Sequence, residues 1–148
     1  MRNAQLSLHT AGARRAELEE IQAHVAPPPE GRWFPLSHGR VLGVVTEALN
    51  GAGFSIESQQ FGLSHGGDRF FGVMDLSARL APGVTLAVGV RNSVDRTYPI
   101  GFCAGSRTFV CSNLAFRSEL LVTRKHTRHG EARFVGDIME GVTKLTHF

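Results

Sequence analysis

Between residues 84 and 104 the chain alternates apolar with small or polar residues at a period of two. Val84, Leu86, Val88 and Val90 fall on one side, with Thr85, Ala87, Gly89 and Arg91 on the other. Tyr98, Ile100, Phe102 and Ala104 repeat the pattern, backed by Pro99, Gly101 and Cys103. Period two places successive side chains on opposite faces of a strand. Two such runs joined by a short polar loop commit the chain to an antiparallel sheet.

More strands precede and follow these two. Phe54 and Ile56 share one parity and Phe61 and Leu63 the other, so a bulge near Gln59 and Gln60 is expected. His65-Gly66-Gly67-Asp68 reads as a turn, and residues 69 to 76 as the returning strand of a hairpin. Pro82-Gly83 marks the next turn, and short strands are expected over residues 107–111 and 120–125. Gly72, Gly89 and Gly101 sit on strand positions, where glycine signals a close approach of backbone, helix or ligand.

Helical periodicity appears at three places. Residues 11–25 follow Thr10 as an N-cap and stop before Pro27-Pro28-Pro29, with a thin apolar face of Leu18, Ile21 and Val25. Ser37 caps a second helix presenting Val41, Val44, Val45, Ala48 and Leu49, ended by Gly51 and Gly53. A third carries Phe134, Val135, Ile138, Met139, Val142 and Leu145 on one face. The expectation is an α+β fold, a curved antiparallel sheet with helices packed on one face. Its 148 residues make one domain. Residues 1–35 form a peripheral helix and proline-rich spacer, anchored by Trp33 and Phe34, and residues 36–148 form the core.

Composition narrows the setting. A chain 42% hydrophobic and 20% charged is that of an ordinary soluble domain, with no apolar run long enough to span a bilayer. The opening MRNAQLSLHTAG lacks the apolar core of a secretory signal. Cys103 and Cys111 make no disulfide framework and are expected to be reduced, in a cytoplasmic setting.

The formal charge of +3 is modest, but its distribution is not even. Residues 117 to 133 hold five Lys or Arg, two His and only two Glu. Within them Arg124, Lys125, His126, Arg128 and His129 lie in a stretch without any carboxylate. Such a patch attracts polyanions. Arg91 and Arg96 flank the polar loop Asn92-Ser93-Val94-Asp95, and guanidinium pairs phosphate in a forked geometry. Arg107 joins them if its turn lies at the same sheet edge. Tyr98, Phe109 and Phe116 are candidate stacking faces for an unpaired base, and equally candidate core residues.

Four motifs in order resemble the phage- and plasmid-associated proteins grouped as domain of unknown function 932. They are Arg91-Asn92-Ser93 with Asp95-Arg96, Ala104-Gly105-Ser106-Arg107, Asn113-Leu114-Ala115-Phe116 and Arg124-Lys125-His126-Thr127. Together they span about forty residues, and members of the family are generally longer. The resemblance implies a mobile-element protein inside a bacterial host cell and hands over no reaction.

Chemistry of other kinds finds little footing. His126 and His129 stand three apart, yet there is no H-E-x-x-H and no paired C-x-x-C, so no metal is expected. No cofactor signature and no nucleophile elbow is present, and Ser106 lies outside any G-x-S-x-G. The leading expectation is a nucleic-acid-binding protein, of single-stranded DNA in recombination or protection. Arg91, Arg96, Arg107, Arg124, Lys125, His126, Arg128 and His129 contact phosphate in that reading. The alternative is a small anti-defence or regulatory protein binding a host protein or a nucleotide signal. Its pocket lies over Gly72, Gly89 and Gly101, edged by Arg91 and Asn113, with Asn92 and Asp95 as further pocket candidates. Exposed sheet edges leave self-association open.

Overall fold

The computed structural model describes residues 13–108, 110 and 122–146. Six strands form one open antiparallel sheet in sequence order: β1 (Arg14–Ala16), β2 (Ile56–Ser64), β3 (Arg69–Ala81), β4 (Val84–Ser93), β5 (Ile100–Gly105) and β6 (Val122–Arg124). Helices α1 (Leu18–Ala23), α2 (His38–Gly51) and α3 (Gly130–Leu145) cover one face, giving the expected α+β architecture. No described helix is long and apolar enough to cross a membrane.

The main core lies between those helices and the sheet. Val41, Val45 and Leu49 of α2 and Phe134, Ile138 and Val142 of α3 meet Phe70, Met74, Val88, Val90 and Phe102, all essentially buried. Removing one such side chain to alanine costs about 2–5 kcal/mol, since the void is not refilled. Ser37 caps α2 as expected, its hydroxyl accepting the Arg40 amide hydrogen at 3.2 Å. An Arg40–Glu131 ion pair links α2 to α3.

The opposite face is not bare. Phe71, Val73, Ala87 and Cys103 form a second buried cluster with Ala13, Val110 and the partly buried Tyr98. Cys103 is a buried thiol whose Sγ lies 3.9 Å from the Val110 carbonyl, and Cys111 lies outside the described residues.

Several expectations are corrected. The helix expected over residues 11–25 is instead β1 followed by α1, because Arg14–Ala16 pairs with Phe61–Leu63 of β2; Thr10 lies outside the described residues. Ala16 and Ile21 are buried in the main core, so this segment is more than a peripheral cover. The bulge in β2 falls between Ile56 and Ser58, short of Gln59. Residues following Ser106 turn helically, with the Val110 amide donating to the Ser106 carbonyl at 2.9 Å, where a strand was expected. Strand β6, Val122–Arg124, falls within the expected stretch.

The three strand glycines do not share a face. Gly72 stands opposite Val90 and looks toward the helices, where a Cβ would meet Phe70 at 3.1 Å and Phe61 at 3.2 Å. Gly89 pairs with Val73 and Cys103, and Gly101 with Arg91, all on the second face. One pocket therefore cannot cover all three. Gly72 is where two phenylalanine rings need its missing side chain.

Candidate functional site

A strap of extended chain leads from α1 to α2 and crosses the end of the sheet that carries the β4–β5 loop. Its prolines forbid helix, and at Glu30–Trp33 it folds into a tight turn closed by two backbone hydrogen bonds of 2.9 Å. The strap is pinned through Leu36 and Phe34. The Leu36 amide donates to Nδ1 of His126 at 2.8 Å, and the Phe34 amide to the His126 carbonyl at 3.0 Å. The Leu36 carbonyl accepts from Asn92 Nδ2 at 2.9 Å.

A buried polar network stands behind this clasp. His38 Nε2 donates to the Gly67 carbonyl at 2.8 Å, which leaves Nδ1 to accept from Asn92 Nδ2 at 3.0 Å. His24 stacks on His38 with ring centroids 4.7 Å apart. Burial pushes the His38 imidazole down to about 4, against a raising hydrogen bond to Gly67. Burial likewise pushes His126 to about 4, partly offset by the Phe34 backbone. Both rings are neutral hydrogen-bonding struts at neutral pH.

The β4–β5 loop is shaped by its own polar residues. Ser93 Oγ accepts the Tyr98 amide hydrogen at 2.8 Å and donates to the Tyr98 carbonyl at 3.0 Å. Asp95 accepts from the Thr97 amide at 3.1 Å and from Arg69 Nε at 2.9 Å. Burial pushes the Asp95 carboxyl up, but hydrogen bonds from Thr97 and Arg69 outweigh it and hold it below the usual carboxylate range. Arg96 then takes a left-handed backbone, φ +68°, uncommon outside glycine. Its guanidinium lies over the Trp33 ring at 4.4 Å and within 3.4 Å of Glu30.

Turn, loop and the chain after β6 together enclose a groove of about 620 Å³, walled by residues 30–33, 96–99 and 125–127. Trp33 and Tyr98 line it with an arginine over one face of each ring, Arg96 at 4.4 Å and Arg91 at 4.6 Å, and exposed Arg32, Arg96 and Lys125 bring charge. Two of the ring N–H groups in these walls, Trp33 Nε1 and His126 Nε2, are closed off from solvent and find no acceptor among the described residues.

The groove gathers only some of the residues that the sequence singled out. Arg96, Lys125 and His126 line it. Arg128 is beside it, 5.8 Å over the Phe34 ring, and exposed His129 precedes α3. Arg124 pairs with Asp137 of α3 at 2.5 Å, so one cation of the basic run is neutralised by a carboxylate outside it. Arg107 lies at the opposite end of β5 from the β4–β5 loop and pairs with Asp75 at 2.9 Å, so it does not join Arg96. Arg91 is 3% exposed, packed 4.6 Å over the Tyr98 ring, and therefore not a surface phosphate contact. Asn92 is buried and held by the strap network, and Asp95 by Arg69 and Thr97, so neither edges an open pocket. Asn113, Phe109 and Phe116 lie outside the described residues.

Arg32 and Trp33 were not foreseen as site residues. Their signal was weak: a lone arginine and an aromatic after three prolines, which read as an anchor. Elsewhere, His65 accepts from Arg69 Nη1 at 3.0 Å and so points its Nδ1–H at Ser64 Oγ, 3.1 Å away. That ring is not set to deprotonate the serine. Among the described residues, no group of three or more His, Cys, Asp or Glu is placed to hold a metal ion. Comparison with family models, with curated proteins and with solved structures found no significant match.

Proposed function

We propose that the chain binds single-stranded nucleic acid in the groove between the Glu30–Trp33 turn, the β4–β5 loop and Lys125–Thr127. The observation that carries this reading is the meeting of two aromatic rings, Trp33 and Tyr98, with three exposed cations, Arg32, Arg96 and Lys125, in one groove. Non-specific single-strand binding needs that pair of features: positive charge along the backbone path and π-faces for unstacked bases. Phosphate contacts of this kind hold a strand without reading its sequence. The resemblance to phage and plasmid proteins supports a mobile-element setting, in which such binding would serve recombination or protection of DNA.

Fluorescence anisotropy with a labelled single-stranded oligonucleotide, at low and near-physiological salt, tests the reading. Binding that weakens steeply with salt and is lost in Trp33→Ala/Lys125→Ala supports it. Absence of binding at low salt overturns it. The groove volume of about 620 Å³ also falls in the range of small-ligand sites, which supports a nucleotide signal as the second reading. A mononucleotide that raises the melting temperature at defined stoichiometry, with no affinity for longer strands, selects that reading.

A further inference from the structure

Arg96 occupies a backbone position, φ +68°, that glycine would fill without strain. The return on an arginine there lies in what its side chain touches. The guanidinium lies over the Trp33 ring at 4.4 Å, and Nη2 comes within 3.4 Å of Glu30 Oε1. Neither contact is a buried fastener. The Arg96 and Glu30 side chains are 53% and 80% exposed, and exposed ion pairs and cation–π contacts are weak. Other bonds hold the groove walls. The Glu30–Trp33 turn closes through its two backbone hydrogen bonds, and the β4–β5 loop through Ser93 and Asp95. Rotation of Arg96 about its own side-chain bonds therefore uncovers a face of Trp33 with no movement of backbone. Among the described residues that line the groove, Glu30 brings the single carboxylate.

We infer that the Trp33 face beneath Arg96 is the base subsite of the groove, and that Glu30 holds Arg96 over it until an oligonucleotide arrives. This rests on the single-strand reading above. In the free chain a planar cation lies on the ring and a carboxylate lies beside that cation. A nucleotide offers the same two chemistries in exchange, a base for the ring face and a phosphate for the guanidinium. Phosphate is the stronger competitor for Arg96, because it accepts two parallel charge-assisted hydrogen bonds from a guanidinium. Glu30 approaches to 3.4 Å, which is longer than such a bond. On binding, Arg96 passes from Glu30 to phosphate, and the base takes the ring face that the guanidinium leaves.

Trp33 is the single tryptophan of the chain, so its emission reports on this ring alone. The test titrates a labelled oligo-dT and an abasic oligomer of equal length into wild type, Glu30→Gln, Arg96→Ala and the double variant. Anisotropy and Trp33 emission are read together at low salt. Arg96→Ala keeps a Cβ at the left-handed position, and melting curves confirm that all variants remain folded. Oligo-dT is expected to quench Trp33, and the abasic oligomer to bind about tenfold more weakly with little quenching. Glu30→Gln is expected to tighten oligo-dT binding about threefold. The same change made in Arg96→Ala should alter it by less than about 1.5-fold. No tightening, or an equal tightening in both backgrounds, overturns the hold on Arg96, since Glu30 then acts by repelling phosphate or not at all. Anisotropy that rises while Trp33 emission stays constant overturns the base subsite and leaves single-strand binding intact. No binding of either oligomer removes the single-strand reading itself.

Discussion

Arg96 holds its guanidinium carbon 4.4 Å from the centroid of the Trp33 ring. Two loops far apart in sequence are thereby held against each other, one from the strap and one between β4 and β5. The contact depends on a left-handed backbone at Arg96, which Asp95 helps to set through its bond to the Thr97 amide. Cation–π contacts of this sort are worth about 0.5–1 kcal/mol at exposed sites. Their larger value here is geometric: Arg96 and Trp33 stand in the same wall of the groove.

Neighbouring cations should behave differently. Arg124 already has Asp137 at 2.5 Å, whereas Lys125 and Arg32 are exposed with no carboxylate drawn onto them among the described residues. Lys125→Ala and Arg32→Ala are expected to weaken oligonucleotide binding and each to lower the salt slope by about 1. Arg124→Ala should change it far less. Salt titrations by anisotropy decide, and an Arg124→Ala loss equal to that of Lys125→Ala contradicts the assignment.

Asn92 bridges β4, the strap and α2 from a fully buried position. Asn92→Ala strands the Leu36 carbonyl and the His38 Nδ1 without a donor, and is expected to cost about 2–4 kcal/mol. Urea unfolding measures it. A change under about 0.5 kcal/mol would mean that the network contributes nothing net.

Acid should loosen the same region. His38 and His126 are held at about 4 in the folded chain, against about 6.5 when unfolded. Between those values the unfolded chain binds more protons, so stability rises with pH there. It is present in full above about 6.5, is lost as pH falls toward about 4, and changes no further from these groups below that. The combined loss is on the order of several kcal/mol. Urea midpoints between pH 7 and pH 4 follow it. His126→Asn should flatten part of the slope, and an unchanged profile would remove His126 from the account.

At the start of α3, Gly130 sits so close to the Lys125 carbonyl that a Cβ would come within 2.7 Å of backbone. Gly130→Ala must push the Lys125–Thr127 segment away. Reduced stability by about 1–3 kcal/mol is expected, with weaker oligonucleotide binding even below the melting transition. Parallel melts and titrations check this, and full affinity in the folded variant would show that the segment's position does not matter.

Much of the architecture was legible because period-two runs and helical faces report burial directly. Val41, Val45 and Leu49 on α2, and Phe134, Ile138 and Val142 on α3, lie in the core as their spacing requires. Sequence pattern failed where tertiary pairing overrode local preference, as at Arg14–Ala16, whose partner strand lies some forty residues away. It failed similarly at the basic run. Charge counted along the chain cannot see Asp137, which α3 folds back onto Arg124. Nor can it foresee that Arg91, alternating outward on paper, lands on a second covered face beneath Tyr98. The groove drew on Arg32 and Trp33, whose neighbours in space are not their neighbours in sequence.

Every strand of the sheet bonds to the one before it in the chain. From β2 to β5 the meander closes only short loops, which keeps the entropic toll of pairing those four strands small, whereas β1 and β6 join across much longer connections. The groove does not share that economy. Its three walls come from residues 30–33, 96–99 and 125–127, so it is absent until the last strand has docked and the strap has been clasped by His126. Ligand affinity in this protein is therefore a readout of completed folding: an intermediate holding β2 to β5 alone would have most of the sheet and no site.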